Sequence, residues 1–293
     1  MPRYEWGELP AEVCAAIEAH TGSITTVVPA SQGVTTAVAA TLHLGDGRRV
    51  FVKGNPTGQS RAVWMLAQEE RAASVVANIA PRLLWRIEAA GWLLLGFEHV
   101  EGRHADLSPG SSDLSRVAEL LDEMARIPAP SLPVLSLAER WGRKPVWHEY
   151  TCDSPADLDA WSAAHLAELA AWEARAPELV DGVTLAHTDL TAENFLLGER
   201  VRVLDWGASA RAAAWVDTAF MVMRLVSAGH GIEQAERWAA TIPAWRQTSA
   251  EAVTAFAVTV AGIREHLLRA EPAGHRQRLA RVAREWAKYR LER

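Results

Sequence analysis

Five strand-like runs around a single helix occupy residues 24–97 before the chain turns to helical spacing, and this change of pattern constrains the fold more than any other feature. Three strand-like runs come first: Ile24–Pro29, Val34–Leu44 and Arg48–Lys53. Gly45-Asp46-Gly47 joins the second to the third, and glycine tolerates the positive φ that such a hairpin demands. A helix is predicted over residues 60–78, ending before Ala80-Pro81 because proline disfavours helix in the residue before it. A strand pair follows, Arg82–Ile87 and Trp92–Phe97, turned by Ala89-Ala90-Gly91. A short amphipathic helix over residues 9–20 precedes all of these, with Val13 and Ile17 one turn apart and Gly22 just past its end. The order predicts a small mixed α and β lobe ending near Glu98.

Beyond Gly102 the pattern is helical. Ser112–Arg126 and Ala156–Arg175 are predicted helices, separated by a Pro-rich ordered loop (Pro128, Pro130, Pro133). Two short strands, Asn194–Leu197 and Arg200–Leu204, turn at Gly198-Glu199. Helices then cover Ala213–Ala228, Ile232–Ala240, Ala250–Arg269 and His275–Leu291, with no internal repeat. A chain of 293 residues has room for two lobes, expected at residues 1–98 and 99–293.

Composition narrows the partners. A pI near 5.9 and a net charge of −6 argue against a nucleic-acid binder, which needs a basic surface. From Arg264 onward nine Lys/Arg face four Glu, read as a solvated helix face. Two cysteines make no disulfide framework, and the N-terminus lacks the basic start and apolar stretch of a signal peptide. No apolar run approaches the roughly 18–20 residues that span a bilayer. A cytoplasmic protein with no membrane partner is expected. Thirteen Trp, dispersed along the chain, are read as packing residues.

The chemistry concentrates in His187-Thr188-Asp189-Leu190-Thr191-Ala192-Glu193-Asn194, followed eleven residues after Asn194 by Asp205-Trp206-Gly207. Acid, amide and second acid at these spacings suit phosphoryl transfer from a Mg-nucleotide. Asp189 is the candidate to accept the proton of an acceptor hydroxyl, and Asn194 and Asp205 offer the oxygen ligands that Mg²⁺ requires. A rival reading makes His187, Asp189 and Glu193 a zinc or phosphoesterase cluster, but no second His or Cys stands at ligand spacing. His187 is instead expected to hold the loop by bonding backbone.

Lys53 ends the apolar strand Val50-Phe51-Val52, where a charge needs a reason. Contact with the α- and β-phosphates of ATP or GTP supplies one, with a helix carboxylate pairing the ammonium. Glu69 is preferred to Glu70, since setting it inward places Ala73 and Val76 on its face. Backbone N–H groups around Gly33, with the hydroxyls of Ser31, Thr35 and Thr36, are candidates to cradle phosphates. Glu98 and Val100 are placed to pair an adenine edge through backbone groups, with Phe97 lining the pocket behind.

With lysine, helix glutamate, the Phe97–Gly102 segment, H-x-D-x-x-x-x-N and D-x-G in this order, the chain resembles the aminoglycoside phosphotransferase family of small-molecule kinases. The resemblance runs from about residue 24 to 230. It implies an α+β, bilobal protein-kinase-like fold, with a small mixed β-sheet lobe and a larger, mainly helical one. It implies a hinge at Phe97–Gly102, and at Trp215-Val216-Asp217 an aspartate that supports the catalytic loop. Ser31–Thr36 carries less glycine than the family's nucleotide loop. Thr191 in place of lysine, and the lack of an A-P-E segment after Gly207, favour a small-molecule acceptor over a protein.

Between Glu139 and Asp181 nine Asp/Glu face four Lys/Arg. An acidic rim would concentrate a cationic, hydroxylated acceptor such as an aminoglycoside, with antibiotic resistance or self-protection as the outcome. The same residues also describe a solvated acidic face. Trp141, Trp147 and Trp161 would either stack on an acceptor or pack the core. The alternatives are a kinase for a metabolite, such as an amino alcohol or sugar, and a catalytically silent nucleotide-binding regulator.

Overall fold

The computed structural model describes residues 4–30, 36–131 and 134–293. The elements begin with α1 (Ala11–Thr21), β1 (Ile24–Pro29), β2 (Val38–Leu44), β3 (Arg49–Pro56), α2 (Ser60–Val76), β4 (Leu83–Ala89), β5 (Trp92–Glu98) and β6 (Arg103–His104). Next come α3 (Asp113–Met124), α4 (Leu137–Gly142), α5 (Val146–Cys152), α6 (Ala160–Ala164), α7 (Leu166–Val180), β7 (Thr184–Ala186), β8 (Phe195–Leu197), β9 (Val201–Val203) and β10 (Ala210–Ala212). The chain closes with α8 (Val216–Ser227), α9 (Ile232–Ala239), α10 (Pro243–Arg246), α11 (Ala250–Ala270) and α12 (Gly274–Leu291). Two compact units are formed, one of Met1–His104 with Glu193–Ser209, the other of Ala105–Ala192 with Ala210–Arg293.

The first unit is built on a five-stranded sheet in the order β1-β2-β3-β5-β4, every pairing antiparallel. Alternation does what the sequence pattern asks: in β2, Val38, Ala40, Leu42 and Leu44 are buried and the residues between them are half-buried. Val13 and Ile17 of α1 join this core. The β4–β5 turn holds Ala90 at φ 46 and Gly91 at φ 75, the left-handed pair that a tight hairpin needs. At Gly96 the Trp85 ring lies where a β-carbon would be, 2.1 Å from the nearest ring atom, so only glycine fits. The β8–β9 hairpin and β6 form a second, three-stranded sheet in this unit.

The second unit is mainly helical. Residues Ala252–Gly262 of α11 are buried without interruption, so this helix is a core element on all sides rather than an amphipathic cover. Phe256 sits among the rings of Trp141, Trp215, Phe220 and Trp286, with centroids 4.9–6.0 Å away. Trp147 donates from Nε1 to the Val258 carbonyl at 2.8 Å and passes close over Gly262. Trp141 and Trp147 are therefore core residues, and Trp161 stacks on His165.

Some local expectations need correction. The helix expected over Ala156–Arg175 is two. The Asp159 side chain accepts from Ser162 N at 3.1 Å and starts α6, while His165 breaks the run and bonds back to Trp161 O through Nδ1. The helix then continues as α7 to Val180, through Pro177. The stretch after Pro130 is not only loop. Ser136 and Glu139 form a capping box that starts α4, and α5 follows. The strand expected from Val34 begins at Val38. Ala37 donates instead to Asn55 Oδ1 at 2.7 Å, and Val34 lies outside the described residues.

Candidate active site

In the first unit Lys53 projects from β3 to α2. Its Nζ lies 2.9 and 3.1 Å from the two Glu69 carboxylate oxygens and 3.0 Å from Asp205 Oδ1. Glu70 pairs with Arg86 of β4 at 3.1 Å. The helix sets this choice: Ala62, Leu66, Glu69, Ala72 and Val76 are its buried face, so Ala72 rather than Ala73 shares Glu69's side. Burial works against the Lys53 ammonium, but Asp205 and Glu69 more than offset it and hold the pKa above the ordinary lysine value. Phe97, buried with Leu66, Leu93 and Leu95, has its ring centroid 6.0 Å from the same Nζ.

Asp205 has left-handed backbone, φ 67 and ψ 59, an uncommon conformation for a residue with a side chain. The turn that follows is anchored by Trp206, buried, with Nε1 donating to Val203 O at 3.1 Å. A β-carbon on Gly207 would stand 3.1 Å from the Met65 carbonyl of α2, so glycine permits this close approach. Asn194 lies across the hairpin, its Nδ2 donating to Leu204 O at 3.1 Å and its carbonyl accepting Leu204 N at 2.8 Å. With the nitrogen on the backbone, the oxygen is the end of that amide with ligand chemistry. The hairpin thus sets Asn194 against the residue before Asp205.

The Glu98 N–H is committed to Arg82 O at 2.9 Å, and the Glu98 carboxylate stands 3.7 Å from Arg82 Nε. Its backbone donor is therefore spent within this unit. Val100 N–H makes no hydrogen bond among the described residues. Ser31, Gly33 and Thr35 lie outside the described residues.

In the second unit β7 pairs with β10 and delivers the chain to His187. Asp217, in the first turn of α8, accepts His187 N at 2.7 Å through Oδ2 and Thr188 N at 2.9 Å through Oδ1. Burial pushes the Asp217 carboxyl up, opposed by His187 and these two N–H donors. Thr188 is held at φ 66, and Arg140 donates to its hydroxyl at 3.2 Å. The fully buried His187 accepts Asp189 N at Nδ1, 3.3 Å, so it bonds backbone within the loop. Leu190, also fully buried, pins the far side. The result presents Asp189 with its side chain 60% exposed, its Oδ1 3.1 Å from Arg224 Nη2.

Arg224, whose Nε also donates to Leu190 O at 2.8 Å, was not among the sequence candidates, nor were Arg140 and Arg264. A signal was present: Arg224 is the one charge in Ala219-Phe220-Met221-Val222-Met223-Arg224-Leu225. Among the described residues no group of three His, Cys, Asp or Glu side chains is placed to hold a metal, so the cluster weighed for His187, Asp189 and Glu193 is not formed. Nor, among those residues, is any helix long and apolar enough to cross a membrane.

Comparison with known proteins identifies the family and the fold. The model of the phosphotransferase enzyme family matches residues 27–250. Similar solved structures include an aminoglycoside phosphotransferase from Alicyclobacillus acidocaldarius, 15% identical over 97% of each chain with a TM-score of 0.59. The choline kinase LicA from Streptococcus pneumoniae is 16% identical over 94% of this chain and 98% of its own, with a TM-score of 0.66. The macrolide 2'-phosphotransferase MphH from Brachybacterium faecium is 16% identical over 92% and 96%, with a TM-score of 0.58. These likenesses establish a protein-kinase-like fold. No curated protein sequence matches the chain.

Proposed function

Because this chain belongs to the phosphotransferase enzyme family and is a small-molecule kinase, we propose that it transfers the γ-phosphoryl group of ATP or GTP to a hydroxyl of a small molecule. The observation that carries this reading is Lys53, held between Glu69 and Asp205 at 2.9 and 3.0 Å. A buried ammonium kept charged by two carboxylates is preset to take a phosphate oxygen, and Glu69 keeps it in place when Asp205 turns to other work. Asp205 and Asn194 would hold Mg²⁺: a carboxylate and an amide oxygen are hard donors, and the Asp205 side chain is 44% exposed. Mg²⁺, when bound, neutralises the phosphate charge. The Glu98 carbonyl and Val100 N–H are assigned to the adenine edge, with Phe97 behind, and Ser31, Gly33 and Thr35 to the phosphates.

Asp189 is assigned to orient the acceptor hydroxyl and take its proton. Asp217, His187 and Arg140 are positioning residues, since the first two hold the backbone of residues 187–189 and Arg140 holds the Thr188 hydroxyl. Asp189→Ala is expected to keep nucleotide binding while turnover falls about 10²- to 10⁴-fold; near-normal turnover would sink the assignment. Asp205→Ala should weaken Mg-nucleotide binding by calorimetry, and an unchanged affinity would remove it from the metal site.

The acceptor is a separate question. An antibiotic such as an aminoglycoside is the reading drawn from the acidic stretch 139–181, and a metabolite is its alternative. Much of that acidity is used internally: Asp157, Asp159 and Asp181 pair with Arg269, Arg284 and Arg211, Glu139 caps α4, and Glu173 is buried against backbone. This favours a metabolite over a polycation. A nucleotide-consumption screen over antibiotics and metabolites tests it, and failure to consume nucleotide with any of these acceptors would favour the silent regulator.

A further inference from the structure

The surroundings of Asp189 are basic. Arg224 of α8 reaches its carboxylate at 3.1 Å, and Arg264 of α11 feels the fields of both Asp189 and Arg224. Arg264 Nε is sealed from solvent without a hydrogen-bond partner, and the Arg264 guanidinium has no ion pair among the described residues. Burial, then the like charge of Arg224, pushes the Arg264 pKa down to about 10, with Asp189 opposing and Arg276 adding to the repulsion. Arg276 is itself committed, donating to Leu267 O at 3.1 Å and pairing with Glu271 at 2.6 Å. Arg224 thus pairs directly with the carboxylate, while Arg264, within the field of both, keeps a buried Nε unpaired among the described residues. Native structures rarely keep such a group without a purpose, because a buried donor with no acceptor is costly.

We propose that Arg224 and Arg264 form an anion-recognition element, and that the acceptor is an alcohol carrying a carboxylate or phosphate group close to the hydroxyl that is phosphorylated. An acceptor anion supplies the charge that Arg264 lacks, and a guanidinium takes either group through two parallel hydrogen bonds. Arg224 touches Asp189 itself, which places the anion beside the reacting hydroxyl rather than at a remote handle. A polycationic acceptor would meet two like charges there. The inference rests on the proposed role of Asp189, and it deepens that reading by naming the substrate class.

The test uses the full chain with ATP, GTP and Mg²⁺ and two matched acceptor series: glycerate, glycerol and serinol, then gluconate, glucose and glucosamine, with choline and kanamycin added. Nucleotide consumption is expected with the anionic members. Arg264→Gln should raise KM for them about 10- to 100-fold with kcat little changed, and Arg264→Lys should recover part of the loss. Turnover confined to neutral or cationic acceptors overturns the proposal while leaving the phosphotransferase reading intact. So does an Arg264→Gln effect on kcat alone across all acceptors, the signature of a group acting on the transferred phosphoryl. Calorimetric titration with malonate and with inorganic phosphate needs no turnover and separates the carboxylate from the phosphate arm. Binding to the wild type that weakens at least tenfold in both Arg224→Gln and Arg264→Gln supports the element, even if no acceptor is consumed. Undetectable or unaltered binding overturns it. Failure of consumption alone counts against the phosphotransferase reading.

Discussion

Lys53 is shared between two carboxylates of unequal setting. The Glu69 side chain is only 8% exposed, whereas that of Asp205 is 44% exposed. The inner partner is therefore the structural one. Glu69→Ala leaves a buried ammonium facing Asp205 alone and should cost about 3 kcal/mol, the low end for breaking a buried pair. A urea midpoint equal to the wild type would show that Asp205 suffices. At this scale the sequence was readable wherever a charge interrupts an apolar run. Lys53 after Val50-Phe51-Val52 carries that signal, and Arg224 within the apolar run of α8 carries the same one. Arg264 carries no such local signal, because only tertiary packing leaves its Nε without a partner among the described residues. The nearest-neighbour choice at Glu69 was reachable from helical spacing, although the inward face runs through Ala72.

Among the elements, α5 and α7 are joined by an unusual acid. Glu173 of α7 accepts His148 N at 3.0 Å, near the start of α5, while its other oxygen is buried with no hydrogen-bond partner among the described residues. Burial pushes its pKa up to about 7, although backbone donors of His148, Trp147 and Val146 pull it down. The folded pKa thus lies above the ordinary glutamate value of 4.5. The stabilisation of the protonated form is complete below pH about 4.5, declines as the unfolded chain ionises, and is lost as pH rises through about 7. The change is on the order of 3 kcal/mol, since each pKa unit is worth about 1.4 kcal/mol. Glu173→Gln should therefore raise Tm at pH 7.5 and not at pH 4.5; parallel Tm curves for the two proteins across this range would refute the titration. None of this was legible beforehand, because Glu173 lies in a helix that reads as one long amphipathic run from Ala156. The capping box at Ser136 and Glu139 is a local signal in the sequence, and it marks α4 within the Pro-rich stretch. The strands and hairpin of the first unit were clearer, since period-two alternation and Gly-rich turns are local signals.

Across the whole molecule the uneven spread of charge has a structural use. The basic C-terminal stretch is not merely solvated: Arg269 pairs with Asp157, Arg284 with Asp159 at 3.0 Å, and Arg290 with Glu236 at 3.3 Å. These ties come with burial. Trp286 is fully enclosed, packs on Phe256 and donates to Glu236 Oε1 at 2.9 Å. A chain ended at Glu271 loses that ring and the α11–α12 packing, and should melt at least about 10 °C lower by calorimetry. A Tm within 2–3 °C of the intact chain would show α12 to be an accessory.

The division of the chain has a consequence for biosynthesis. The first unit takes Met1–His104 and then waits for Glu193–Ser209, which bring the β8–β9 hairpin, Asp205 and the turn packed on α2. While the ribosome is still adding the intervening residues, β6 has no β8 beside it and Lys53 has only Glu69. The nascent chain must carry β6 unpaired until β8 has been made, and its lysine acquires its second carboxylate only when residue 205 has left the exit tunnel.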